Sequence, residues 1–257
     1  MPRRPPCSTS RSALEIAAET GSTNADLLAR LKSGEPLAEG HWLVADRQTA
    51  GRGRAGRAWS DGLGNFMGST VVRLRSADPP AQTLALVAGL ALHRAVSGVL
   101  QTARVPLGNG SDALFLKWPN DLLFGGAKLA GILLERQGDA VVVGIGVNIA
   151  QAPEVPDRRT TSLDAEGAGI DRDAFAATLT QEWSQALTRW HLGEWPVLRQ
   201  DWLLRAHPVG TLVSVKDRAQ GELTGAFAGI DESGVAQLRL ADGMVHPVHA
   251  GDIEMVG

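Results

Sequence analysis

The spacing of apolar residues along the chain outlines its elements before any chemistry is considered. In "STNADLLARLK" (22–32), Leu27, Leu28 and Leu31 share one helical face, with Ser22 or Thr23 placed to cap its start. Phe175, Leu179, Trp183, Leu187 and Trp190 return every three or four positions, which predicts an amphipathic helix over 171–191 with its tryptophans in the core. "AQTLALVAGLALHRAVSGVL" (81–100) is apolar on most faces and predicts a buried helix. "HWLVAD" (41–46), "MGSTVVRLR" (67–75), "ALFLKW" (113–118), "AGILLER" (130–136) and "AVVVGIGVNI" (140–149) read as strands. Short glycine-containing turns such as "FGGAK" (124–128) join the later ones, an antiparallel habit.

From about residue 207 the texture changes to short strands punctuated by Gly, Asp and Ser, as in "GTLVSVKD" and "GVAQLRLAD". The expected organisation is a tail over 1–11, an α+β domain over 12–206 and a small β domain over 207–257. With 257 residues, 44% of them hydrophobic, the chain can bury a full core. A net charge of −3 argues against a bulk nucleic-acid binder and confines any anion site to a local patch. The single cysteine, Cys7, permits no disulfide within the chain and fits a reducing, cytoplasmic compartment. No run approaching the ~20 apolar residues of a membrane span is expected, and no membrane partner.

One such patch is "GRGRAGRAW" (51–59), where Gly51, Gly53 and Gly56 take a G-x-G-x-x-G spacing. A dinucleotide turn needs a helix to follow, and "SDGLGNF" has no helical periodicity, so that reading fails. What remains is a flexible loop offering Arg52, Arg54 and Arg57 to phosphate or carboxylate, or a solvated basic or RNA-contacting segment. In "KWPND" (117–121), Lys117 precedes Asn120 and Asp121, which suits either a triphosphate with Mg²⁺ or an ordinary turn. Lys128 opens the apolar "KLAGIL", Gly131 lies inside it, and Asn148 closes "GIGVNI".

The order "STN", "DRQTAGRGRAGRAW", "KWPND", "KLAGIL" and "GIGVNI" resembles biotin–protein ligases over essentially the whole chain from residue 12. The resemblance implies a class II synthetase-like core, a mixed, mostly antiparallel sheet flanked by helices, followed by an SH3-like β-barrel. It implies that biotin and ATP form biotinyl-5′-AMP, and that biotin then passes to a lysine of a biotin carboxyl carrier domain. Residue by residue, it assigns Lys128, Lys117 and Arg54 to catalysis. Ser22, Thr23, Asn24, Gln48, Gly51, Arg52, Lys128 and Gly131 fall to biotin. Arg54, Arg57, Trp59, Asn120, Asp121 and Asn148 fall to the nucleotide, with Asp121 toward Mg²⁺. The arginine loop would close over the adenylate and keep water out.

Many relatives carry an N-terminal DNA-binding domain; too little chain precedes residue 12 for one, so no DNA partner is expected, and a homodimer is left open. No Lys or Arg follows Arg239, which argues against a direct catalytic role for the barrel. The alternatives are a lipoate or octanoate ligase on the same fold, and a non-catalytic nucleotide- or RNA-binding module.

Overall fold

The computed structural model describes residues 14–108, 113–156, 158–217, 221–249, 251 and 253–255. The tail expected over 1–11, with Cys7, lies outside the described residues. Strands β1 (Leu14–Ala17), β2 (Trp42–Ala45), β3 (Phe66–Arg73), β4 (Leu114–Lys117), β5 (Asp121–Phe124), β6 (Ala127–Gln137) and β7 (Ala140–Val147) form one sheet. Its order is β1-β2-β3-β7-β6-β5-β4. β1 and β2 run parallel, and the other neighbours are antiparallel, so the sheet is mixed and mostly antiparallel as expected. Gly125 and Gly126, with φ of 58° and 70°, make the tight β5–β6 turn that a side chain would strain. Asp121, for which an ordinary turn was one of the two readings, opens β5, opposite Lys117 on β4 and Gly131 on β6.

Alternate residues of each strand serve opposite faces. Leu43, Val71 and Val142 pack with Leu27 of α1 (Thr23–Lys32) on one face. Trp42, Val44, Val72, Val141 and Val143 pack on the other with α2 (Leu84–Thr102), α3 (Arg172–His191) and α4 (Trp195–Leu203). All five predicted stripe residues of α3 are buried. Asp171 caps it by accepting from the Asp173 and Ala174 N–H groups. The α4 helix, "WPVLRQDWL", was not expected; it is short, with proline in its first turn and only Trp195, Leu198 and Trp202 inward. The expectation about membrane length needs correcting: Ala81–Thr102 is long and apolar enough to cross one. Its most apolar window is 78% buried within the protein, the environment of a core helix.

The remaining strands, β8 (Leu212–Asp217), β9 (Gly221–Ile230), β10 (Ala236–Arg239), β11 (Val245–Val248) and β12 (Ile253–Met255), form the SH3-like unit, an antiparallel sheet ordered β11-β10-β9-β8-β12. Val213, Phe227, Leu238 and Ile253 join the same apolar cluster as α2, so the two sheets share one core. Two indoles fasten them: Trp118 Nε1 donates to Gly234 O at 3.0 Å, and Trp195 Nε1 to Glu232 O at 2.6 Å.

Candidate active site

A cavity of about 360 Å³ opens on the α1 face of the large sheet, within the range of small-molecule sites. Its first wall is uncharged and polar. Ser22 caps α1, its Oγ 3.5 Å from Ala25 N, and the turn sets Thr23 and Asn24 inward. Gln48 Oε1 accepts from Thr23 N at 2.8 Å, and the Thr23 hydroxyl lies 2.7 Å from Ser69 Oγ. Ser69 donates to Asn24 Oδ1 at 2.6 Å, and Asn24 Nδ2 donates to Glu135 Oε2 at 2.9 Å. Ser22, Thr23, Asn24, Gln48 and Ser69 are all buried, so this network holds a rigid shape.

The floor is made by what is missing. Gly131 and Gly146 face each other across β6 and β7, and Gly144 lies two residues along the same face. A Cβ at Gly146 would stand 2.4 Å from the Trp59 ring, and one at Gly144 2.3 Å from Asn24 Oδ1. Trp59 thus lies directly on the bare strands. Its Nε1 is buried with no hydrogen-bond partner among the described residues.

The arginine segment, expected as a flexible loop, is a closed hairpin. Trp59 N donates to Gly51 O, Gly53 N to Arg57 O, and Arg57 N to Arg54 O. Its tip turns through Ala55 and Gly56 at φ of 55° and 75°. Position 51 must be glycine because a Cβ there would meet Trp59 O at 2.6 Å. Arg54 reaches inward, Nη1 donating to Asn120 Oδ1 at 3.0 Å and Nη2 to Gly251 O at 3.4 Å. Arg52 lies 3.6 Å from Glu135, which links the hairpin to the polar wall.

Lys128 stands opposite. Its Nζ donates to Asp121 Oδ1 at 2.7 Å and sits 5.7 Å from the centre of the Trp59 ring. The other Asp121 oxygen is 3.8 Å from Arg158. Asn120 is held by Nδ2 donating to Ile132 O. Asn148 Nδ2 donates to Thr161 O at 3.0 Å and joins the end of β7 to the 158–163 segment. Just beyond, Asn65 Oδ1 accepts from Ile149, Ala150 and Gln151 N–H at 2.9, 3.0 and 3.2 Å, and its Nδ2 donates to Gln151 O.

Twelve of the expected residues line this one cavity: Ser22, Thr23, Asn24, Gln48, Arg52, Arg54, Arg57, Trp59, Asn120, Lys128, Gly131 and Asn148. Asp121 stands behind Lys128 rather than in the lining, and Gly51 forms the base of the hairpin. Lys117 does not line it either. Its charge bears on the buried His207, whose pKa falls to about 4, chiefly through burial and then through Lys117. Ser69, Gly144, Gly146, Arg158 and Glu254 line the cavity without having been expected. The glycines of "VGIGV" (143–147) carry a readable signal, close approach; the other three owe their place to pairing between distant segments.

Residues 18–149 match the biotin/lipoate A/B protein ligase family, and residues 211–256 match the biotin protein ligase C-terminal domain. A biotin–[acetyl-CoA-carboxylase] ligase of Mycobacterium tuberculosis is 38% identical over 244 residues, 93% of this chain and 88% of that protein. The bifunctional ligase/repressor BirA of Escherichia coli is 34% identical over 91% of this chain and 71% of its own length. Among solved structures, a biotin protein ligase from Aquifex aeolicus in complex with biotin and ATP superposes with a TM-score of 0.77. It is 27% identical, over 95% of this chain and 98% of that one. With its fold, its cavity and both parts of its sequence in agreement, the chain belongs to the biotin/lipoate A/B protein ligase family.

Proposed function

We infer that the protein is an ATP-dependent biotin–protein ligase. It forms biotinyl-5′-AMP from biotin and ATP and transfers biotin to a lysine of a biotin carboxyl carrier domain. The observation that carries this is the make-up of a single cavity: a buried neutral polar wall and a glycine floor, with Lys128 and the arginine hairpin set against them. A neutral, hydrogen-bonding ring suits the first part, and two anions that must meet suit the second. The similarity to the Mycobacterium tuberculosis enzyme supports the same reading.

In this reading Ser22, Thr23, Asn24 and Gln48 hold the biotin ring, and the bare strand at Gly131 leaves room for the ring beside Trp59. Lys128 bridges the biotin carboxylate and the α-phosphate, lowering their repulsion as the carboxylate oxygen bonds to phosphorus and pyrophosphate leaves. Asp121 keeps the ammonium aimed. Arg54, Arg57, Asn120 and Asn148 face the nucleotide, and Trp59 with the hairpin shields the mixed anhydride from water. Lys117 acts from outside the lining, through phosphate charge at longer range.

The described residues form no resident metal cage. No three His, Cys, Asp or Glu side chains cluster among the described residues. Both Asp121 oxygens turn to cations. Mg²⁺ therefore belongs to the substrate, arriving as the counter-ion of the triphosphate. A cytoplasmic location, where ATP and a carboxylase meet, goes with this reading.

The test mixes the protein with ATP, Mg²⁺, biotin and a carrier domain and probes the carrier with streptavidin. Biotin-dependent labelling is expected; none, beside an active control ligase, refutes the reading. Lys128→Ala should lower biotin-dependent pyrophosphate exchange by at least about a hundredfold. Near-normal exchange would remove Lys128 from its role.

A further inference from the structure

Among the described residues, the cavity is lined by five cationic side chains, Arg52, Arg54, Arg57, Lys128 and Arg158, and by a single carboxylate, Glu254. Among the described residues, Asp121 behind the wall is committed to Lys128 and Arg158, and Glu135 to Asn24 and Arg52. Glu254 makes no hydrogen bond or ion pair among the described residues and is exposed. It comes from the barrel, on β12 at the edge of the five-stranded sheet, paired opposite Ser214. Ile253 beside it is fully buried, and the nearby Gly251 carbonyl accepts from Arg54, so this edge is fastened over the arginine hairpin.

A carboxylate here opposes the collection of phosphate charge, so its use must be for a cation. The ligase reaction brings one to the cavity after pyrophosphate has left, namely the ammonium of the acceptor lysine. We propose that Glu254 receives that ammonium and holds the amine beside the acyl-adenylate, which makes the barrel part of the transfer site. This rests on the ligase reading above. In the transfer the lysine nitrogen bonds to the acyl carbon, the bond from that carbon to the phosphate oxygen breaks, and AMP leaves with the electron pair. The ammonium loses one proton before attack and one after, both to water. Glu254 binds and orients and takes neither.

The experiment uses the full chain with Glu254→Gln and Glu254→Asp. Three rates are compared: pyrophosphate exchange, transfer from preformed biotinyl-AMP to the carrier domain, and transfer to hydroxylamine, which is uncharged at neutral pH. Glu254→Gln should lower kcat/KM for the carrier by about tenfold, with a deficit that shrinks as salt rises, while exchange and hydroxylamine trapping stay unchanged. Glu254→Asp should fall between. Wild-type carrier kcat/KM in Glu254→Gln overturns the proposal. So does an equal loss in exchange or hydroxylamine trapping, which would tie Glu254 to the nucleotide, its metal or the fold. If the wild-type protein itself forms no biotinyl-AMP, the ligase reading has failed and this proposal with it, a result visible before any variant is made.

Discussion

Replacing Asn65 by alanine tests whether the end of the cavity proposed for the nucleotide is shaped by one buried amide. Asn65 is 3% exposed, and its carbonyl oxygen gathers three consecutive backbone N–H groups at the turn after β7. Ala150 and Gln151 are exposed and can turn to water, whereas Ile149 is buried and its N–H would be orphaned. One buried orphan costs about 1–3 kcal/mol, and the exposed bonds about 0.5 kcal/mol each, so a loss of about 2–4 kcal/mol is expected. At ~2.1 cal/mol/K per residue the chain has an unfolding entropy of about 0.5 kcal/mol/K, and Tm should fall by about 4–8 °C. Asn65→Asp keeps the acceptor and should recover more than half of the loss. In pyrophosphate exchange, KM for ATP should rise in Asn65→Ala while KM for biotin stays, because the biotin wall is built by other segments. A fall in Tm of less than about 1 °C, or an Asp variant no better than Ala, would refute the reasoning.

Gly144→Ala drives a Cβ to 2.3 Å from Asn24 Oδ1 and should break the Asn24 bonds to Ser69 and Glu135. Biotin affinity by calorimetry should drop about ten- to a hundredfold, with ATP affinity nearly unchanged. Arg54→Ala removes the contacts to Asn120 and Gly251 and should speed release of biotinyl-AMP by about tenfold; unchanged release would end the role of the hairpin as a lid. Burial holds the pKa of both His93 and His207 near 4, below the ordinary 6.5. As pH falls below 6.5 the unfolded chain takes up protons that the folded one refuses, so stability is lost through the window from 6.5 to about 4. Urea titrations should show a loss of about 2 kcal/mol per histidine near pH 5, and a flat profile would contradict it.

The elements with a strong period were legible in the chain. The α3 stripe, the strands β4, β6 and β7 and the change of texture at the barrel stand where the residues put them, whereas β5, hidden behind the turn signals of "KWPND", was not read as a strand. That twelve of the motif residues belong to one cavity was legible because each sits in a short, distinctive string. What escaped was set by long-range pairing. Glu135 meets Asn24 across 111 positions, and only the register of β6 with β7 brings it there. Arg158 and Glu254 lie in stretches with no motif, and their place comes from the fold of the 153–160 segment and from the edge of a separate sheet. Lys117 shows the converse: a good local string, "KWPND", whose first residue the β4–β5 pairing leaves outside the cavity lining.

The bare strands under Trp59 carry a consequence for altering what the cavity accepts. Gly131, Gly144 and Gly146 already have the smallest side chain there is, so every substitution on that floor subtracts room. Variants can narrow the cavity from below but never deepen it. A bulkier ring has to be accommodated from above, by trimming Trp59 or reshaping the hairpin that carries it. In the function proposed above that ceiling is also the water shield, so breadth of substrate would be gained at the expense of protection for the intermediate.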